Sequence, residues 1–456
     1  MTDFCPRFMI AAVKSGEGKT TVALSLLAAL KKLEKDPICF KSGPDYIDPM
    51  FHKKAVGIDG ANLDLFLSDE ETVNNIVGEY SKGHGVALIE GAMGFYDGAA
   101  MTERASCYHL AKATGTPVIL AVSARGAALT IAAVIKGLAE FREDSNIKGV
   151  ILNRCSKNLF ERLAPMIEQN CGVQVLGYLP ENAEFKIESR HLGLVTADEI
   201  ADIKQKIAVL GDTALQTIDF KKLLDIAGGC KQFESKVFNN KERKETVIAV
   251  AKDEAFCFYY DETLSLFKKL GAEIIEFSPL RDKTLPEKAT ALYLGGGYPE
   301  LFAKDLSENN SMLCSIKKSL QNKMPCIAEC GGFLYLHDSL ADADGADYPM
   351  VGIIKGGCAR GNGLKQFGYV TLTAHADNIL CKKGETMAAH EFHYWQSETA
   401  GGCFTAQKPD GRSWDCVHAN EHIYAGFPHL YLAGNVKAAE KFIAAAERYG
   451  EENGIE

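Results

Sequence analysis

The chain has 456 residues, 46% of them hydrophobic and 24% charged, with a formal net charge of −10. That length exceeds one ordinary core and implies two or three domains, and an acidic chain without a Lys/Arg block excludes an electrostatic footprint for nucleic acid or an anionic membrane surface. No apolar run reaches the roughly 18 residues of a spanning helix, residues 1–7 carry no charged-then-apolar leader, and 14 cysteines without any C-x-x-C pair fit reduced thiols in a cytoplasmic protein.

Residues 7–13 read as a strand, then a glycine-containing turn, then a helix over 20–33. Short buried runs at 86–89, 117–122 and 148–153 alternate with helical stretches at 104–114, 127–141 and 159–170. Such alternation predicts a parallel sheet covered by helices on both faces. The rhythm breaks in GGCKQFESKVFNNKERKE, a polar, charged stretch that reads as a linker. A new alternation follows: strand 247–251, helix 261–270, strands 273–277 and 291–294, a helix, and strand 326–329. The expected division is a front α/β domain over 1–228, a linker over 229–245 and a second α/β domain over 246–456.

After the first strand stands KSGEGKTT, residues 14–21. Small residues let backbone N–H groups close around phosphate oxygens at the positive end of the following helix. Gly16, Gly18, Lys19, Thr20 and Thr21 are the expected phosphate contacts: Lys19 neutralises the outer phosphates and the Thr20 hydroxyl ligates Mg²⁺. Val13 replaces the first glycine of the usual pattern, and the strand–loop–helix context carries the reading instead. Lys14 stands where some dimeric ATPases carry a lysine that reaches the partner's nucleotide. A solvent-facing lysine is the favoured reading, and a homodimer stays open.

A phosphate-loop enzyme also needs acids near its metal. Asp45 and Asp48 lie in KSGPDYIDP after the second strand, and Glu90 and Asp97 in EGAMGFYDG after residues 86–89. Both segments fall at strand carboxyl ends, where open α/β sheets place ligands. Thr20, Asp45 and Glu90 form the expected metal set. The alternative is that each acid only caps a helix or turn.

The second domain holds Ala328-Glu-Cys330-Gly-Gly-Phe333, an apolar run meeting a helix-like stretch. A cysteine on a sharp strand-to-helix turn is exposed for attack, and a helix N-terminus favours its thiolate. Such a thiolate can attack a carboxamide and form a covalent acyl intermediate. The glycine turn after residues 291–294, with Gly296 and Gly297, and Gly331 beside the cysteine, offer N–H groups for an oxyanion. His429, in GFPHLY, is the candidate base; His390 and His393 in HEFHYW are the alternatives, and their spacing lacks a convincing third zinc ligand.

Together SGEGKTT, KSGPDYIDPMFH, NLDLFL, EGAMGFYDG, GVILNR, RHLGL, GGGYPE, AECGGFLYL, HEFHYW and FPHLYLAGN, in that order, resemble the cobyrinic acid a,c-diamide synthases and the related hydrogenobyrinic acid and Ni-sirohydrochlorin enzymes. The resemblance spans essentially the whole chain. It implies a dethiobiotin synthetase-like front domain binding ATP and Mg²⁺, and a class I glutamine amidotransferase behind it. It implies that ATP and glutamine convert the a- and c-acetate carboxylates of a tetrapyrrole to amides through an acyl phosphate. Cys330 then falls on the glutaminase nucleophile and His429 on its base. Lys19, Thr20, Asp45 and Glu90 fall on nucleotide and metal positions, and Tyr46, Asp48 and Asp97 on the tetrapyrrole and phosphoryl region.

Two positions depart from the family pattern. Ser123 stands where many relatives carry an acid. Tyr431 stands two residues after the histidine, where typical glutamine amidotransferases carry a glutamate, so the third triad member is absent or replaced. The acceptor stays open among cobyrinate, Ni-sirohydrochlorin and, as a close third, the cobyric acid synthase substrate. A reading of a different class is a nucleotide-gated switch protein with an inactive amidotransferase module.

Overall fold

The structure, a computed structural model, describes residues 5–182, 185, 197–232, 246–364 and 366–455. The RHLGL segment and most of the expected linker lie outside the described residues. The chain divides into two compact units, Met1–Val237 and Phe238–Glu456.

The front unit holds a seven-stranded sheet with all neighbours parallel. Across the sheet run Gly60–Leu63, Pro37–Ser42, Val86–Glu90, Arg7–Ala12, Val118–Ser123, Ile147–Asn153 and Gln174–Tyr178. Every residue of Arg7–Ala12 is buried, as a strand covered on both faces requires. Side chains alternate between the faces: Phe8 and Ile10 join a core with Leu24 and Leu27 of helix Lys19–Lys32, Ile207 of Ala197–Thr217 and Leu223 of Phe220–Gly228. The helix expected from residue 104 begins at Cys107, because Ser106 caps it by accepting the His109 N–H at 3.2 Å. The central strand is flanked by Val86–Glu90 and Val118–Ser123, so its carboxyl end is the point where the winding of the sheet reverses.

The rear unit centres on a six-stranded sheet ordered Glu273–Phe277, Val247–Ala251, Ala291–Leu294, Cys326–Glu329, Ile423–Gly426 and His418–Ala419. The first five are parallel and the last is antiparallel. Tyr293 and Ile327 face a core with Phe267, Leu430 and Phe442. Leu292, Leu294, Cys326 and Ala328 face the opposite core with Leu306, Ile316 and Phe333.

Beyond Cys326–Glu329 the chain leaves simple strand–helix alternation. A four-stranded sheet includes His337–Ala341 and Ile354–Arg360, and a five-stranded sheet includes Phe367–Ala374, Thr386–Phe392 and His429–Leu430. Several of these strands are half-exposed, and Ile354–Arg360 reads IKGGCAR, so no buried run announces them. No helix among the described residues is long and apolar enough to cross a membrane, and the cysteines are free thiols.

Candidate active site

In the front unit, the loop after Arg7–Ala12 ends at Gly18, whose φ is +91°. A Cβ there would sit 2.1 Å from Asn153 Nδ2, so only glycine lets the loop pass so close. Asn153 Nδ2 donates to the Glu17 carbonyl at 2.8 Å, and the Arg154 guanidinium donates to the Gly16 carbonyl at 3.2 Å. Glu17 Oε2 accepts the Ser123 N–H at 2.8 Å, so Ser123 engages the loop through its backbone. The carboxyl ends of two neighbouring strands therefore hold the loop open. Lys14 is exposed.

Burial lowers the Lys19 pKa, and its ammonium donates to the Met93 carbonyl. Thr20 Oγ1 donates to Glu90 Oε1 at 2.7 Å. Glu90, fully buried, also meets Lys41 Nζ at 3.2 Å and His52 Nε2 at 3.1 Å. Burial opposes its charge, but Lys41, His52 and Thr20 outweigh that and hold the carboxyl well below the ordinary range. Burial likewise opposes the Lys41 and His52 charges; Glu90 and Asp48 lift the first, Cys39 and Glu90 the second, and both end well above their ordinary values. Lys41 also pairs with Asp48, whose carboxyl burial pushes up to about 6 against the pull of Lys41.

The structure thus gathers Lys19, Thr20, Glu90 and Asp48, and adds Lys41 and His52, which sequence reasoning did not single out. Both lie inside KSGPDYIDPMFH, but a lysine ending a strand and a histidine after a short helix give no periodic signal. Asp45 Oδ1 accepts the N–H groups of Ile47 at 2.8 Å and Asp48 at 3.3 Å, so its carboxylate starts the helix Ile47–Phe51. Tyr46 is half-buried between them. Asp97 is exposed and closes its own turn by accepting the Gly94 N–H at 3.0 Å. Thr21 lies in the first turn of Lys19–Lys32. Among the described residues no three His, Cys, Asp or Glu side chains converge as a metal cage. The Thr20 hydroxyl and Glu90 carboxylate are hard oxygen donors, suited to a Mg²⁺ that takes its other ligands from phosphate and water.

In the rear unit, Cys330 directly follows Cys326–Glu329 with φ +47° and ψ −99°, a conformation that a non-glycine residue adopts only under constraint. Its N–H donates to the Gly426 carbonyl at 2.8 Å, and the Gly332 N–H to the Gly295 carbonyl at 2.9 Å. The helix that follows, Gly331–Tyr335, has only five residues, so its dipole is small. A Cβ on Gly331 would lie 3.1 Å from the Gly297 nitrogen, and one on Gly297 would strike the Ala255 carbonyl at 2.1 Å. Bare backbone from Gly296, Gly297 and Gly331 therefore surrounds the turn and can serve an oxyanion.

His429 is buried and opens the two-residue strand His429–Leu430, opposite His390 of Thr386–Phe392. Burial opposes a charged ring here, but its hydrogen bond and charge interaction with Cys330 and the nearby Glu329 push its pKa up to about 10. Burial, then His429 and Lys408, push His390 down to about 3, leaving it neutral. His393 is stacked on Phe427 with ring centroids 3.7 Å apart, and its Nδ1 lies 2.6 Å from the Trp395 carbonyl. Of the three histidines, His429 is the one that engages Cys330.

Glu329 was missed in the sequence. It is buried, with Oε2 3.8 Å from His429 Nδ1 and 3.3 Å from the Tyr293 hydroxyl, which donates to it. Oε1 accepts the Leu430 N–H at 3.1 Å. The available signal was an acid closing the apolar run 325–328. Tyr431, at the usual position of the acid, packs edge-on against Tyr260 with centroids 5.0 Å apart.

Residues 8–195 match the family model described as the CobQ/CobB/MinD/ParA nucleotide binding domain, and residues 247–436 match the CobB/CobQ-like glutamine amidotransferase domain. A protein named cobyrinate a,c-diamide synthase from Caldanaerobacter subterraneus subsp. tengcongensis is 38% identical, over 98% of this chain and 99% of its own length. Proteins of the same name from Clostridium tetani, 39% identical over 94% and 97%, and Clostridium acetobutylicum, 38% identical over 94% and 97%, are also similar.

Proposed function

Because this chain belongs to the cobyrinate a,c-diamide synthase family, we propose that it uses ATP and glutamine to amidate the a- and c-acetate carboxylates of cobyrinic acid through an acyl phosphate. The observation that carries the reading is the near full-length similarity to proteins of that name, with a Cys330–His429 pair in the amidotransferase half.

A carboxylate resists attack because its carbon is electron-rich and oxide is a poor leaving group. In the proposed front reaction a carboxylate oxygen attacks the γ-phosphorus and ADP leaves. Lys19 and the loop N–H groups bear the phosphate charge in that transfer. Thr20 and Glu90 are the proposed ligands of Mg²⁺, which when bound with ATP neutralises phosphate charge. Asp48 and Tyr46 are proposed to border the phosphoryl region, with Asp45 and Asp97 shaping the two loops.

In the rear reaction the Cys330 sulfur attacks the glutamine carboxamide carbon, and the Gly296, Gly297 and Gly331 backbone receives the oxyanion. His429 gives a proton to the departing nitrogen, ammonia leaves, and a thioester remains that water hydrolyses to glutamate. Ammonia then displaces phosphate from the acyl phosphate, losing a proton. The free thiols support a cytoplasmic setting.

The test supplies purified protein with ATP, glutamine and cobyrinic acid, with Ni-sirohydrochlorin in parallel, and reads product mass. The diamide of cobyrinic acid is expected. Amidation of the nickel compound alone overturns the acceptor assignment, and product from neither overturns the reading.

A further inference from the structure

We infer that Glu329 is the positioning acid of the glutaminase centre: it orients His429 through Nδ1 and takes the place of the acid missing at Tyr431. The inference rests on the Cys330–His429 reading and extends it to a residue just before the nucleophile.

The placement follows from strand geometry. Side chains alternate along a strand, so Glu329 points to the same side of Cys326–Glu329 as Ile327. Ile327 lies in the core that holds Tyr293 and Leu430. The strand's last residue thus reaches under His429–Leu430, while the turn at Cys330 swings the sulfur out to meet the ring from elsewhere. Leu430 N–H and the Tyr293 hydroxyl fix the two carboxylate oxygens. With Nδ1 facing Glu329, proton exchange with sulfur falls to Nε2. This is the division of labour of a nucleophile–histidine–acid triad. The Nδ1–Oε2 separation of 3.8 Å is longer than a hydrogen bond and within ion-pair reach, as is common before substrate binds.

Charge supports the geometry. A buried carboxylate is costly without a counter-charge. Among the described residues, His429 is the one basic group within ion-pair distance of Glu329. Cys330 and Glu329 act on His429, and the neutral His390, itself acted on by Lys408, lies opposite it. Both Cys330 and Glu329 favour the imidazolium, and Glu329 is the one that persists after sulfur has become a thioester.

Glu329→Gln keeps one oxygen to accept the Leu430 N–H, turns an NH2 toward the Tyr293 hydroxyl, which can accept from it, and removes the charge. In the full chain it is expected to lower kcat for glutamine hydrolysis roughly 10²-fold, with KM for glutamine within about twofold and ammonia-dependent synthesis retained. The ¹⁵N imidazole titration of His429 is expected to move down by about one pH unit or more. Wild-type kcat, or a fall in kcat with the His429 titration unmoved, overturns the inference. If Glu329→Gln does not fold, Tyr293→Phe, which loosens one carboxylate oxygen, is expected to shift both readouts in the same directions by less. Wild-type values for both overturn the inference. Retained glutamine hydrolysis in Cys330→Ala would instead overturn the nucleophile assignment.

Discussion

Thr20 Oγ1 and Glu90 Oε1 meet at 2.7 Å although 70 residues separate them in the chain. The first turn of one helix and the end of a neighbouring strand thereby present two hard oxygens at one point. Glu90 is also the shared counter-charge of two buried cations, Lys41 and His52. Removing one partner of a buried pair leaves the others uncompensated, at a cost of about 3–5 kcal/mol. Glu90→Gln is therefore expected to lower the urea midpoint by a corresponding amount and to abolish synthesis with either nitrogen source. An unchanged midpoint would show that the cluster contributes nothing to stability.

Asp48 gives a pH-dependent prediction. Its carboxyl, pushed up to about 6, holds a proton that the unfolded chain releases near about 3.9. This contribution to stability is fully present below the unfolded value and is lost as pH rises through about 6. Asp48→Asn removes it. The variant's thermal midpoint relative to wild type is expected to rise between about pH 4 and about pH 7; a flat difference would contradict the assignment.

Nitrogen source separates the two half-reactions. Cys330→Ala is expected to lose glutamine-dependent product while keeping synthesis from concentrated ammonia. Lys19→Ala is expected to lose both, because in the proposed route phosphoryl transfer precedes either. Product mass with each source decides, and full turnover by the Lys19 variant would remove the phosphate-loop assignment.

Gly296→Ala tests the crowding around the ring of His429. The added methyl would come 2.6 Å from His429 Cε1, inside any real contact, so the buried ring must shift. A displacement of about 1 Å can cost roughly 10²-fold in rate. Glutamine hydrolysis is expected to fall on that order with ammonia-dependent synthesis preserved; equal loss of both would point to a folding defect.

Much of the scaffold was legible. Residues 247–251, 273–277, 291–294 and 326–329 read as strands and are strands, because buried parallel strands are short apolar runs with clear edges. The half-exposed strands after residue 336 give no such signal, since polar and glycine positions interrupt them. In the site, Gly18, Lys19 and Thr20 announce themselves by spacing. Lys41 and Glu329 do not: each is a charged residue at or next to the end of a buried strand, and Glu90 and His429, which they meet, lie far away in sequence. Glu329 was hidden further by the expectation that an acid follows the histidine.

Cys330 and Glu329 are covalent neighbours, so a shift of that strand carries sulfur and carboxylate together. The segment after His429 is relieved of supplying a charge and can end in aromatic packing, Tyr431 on Tyr260. Transplanting this strand end into another amidotransferase would move two of three components in a single dipeptide, leaving the recipient to provide only the imidazole.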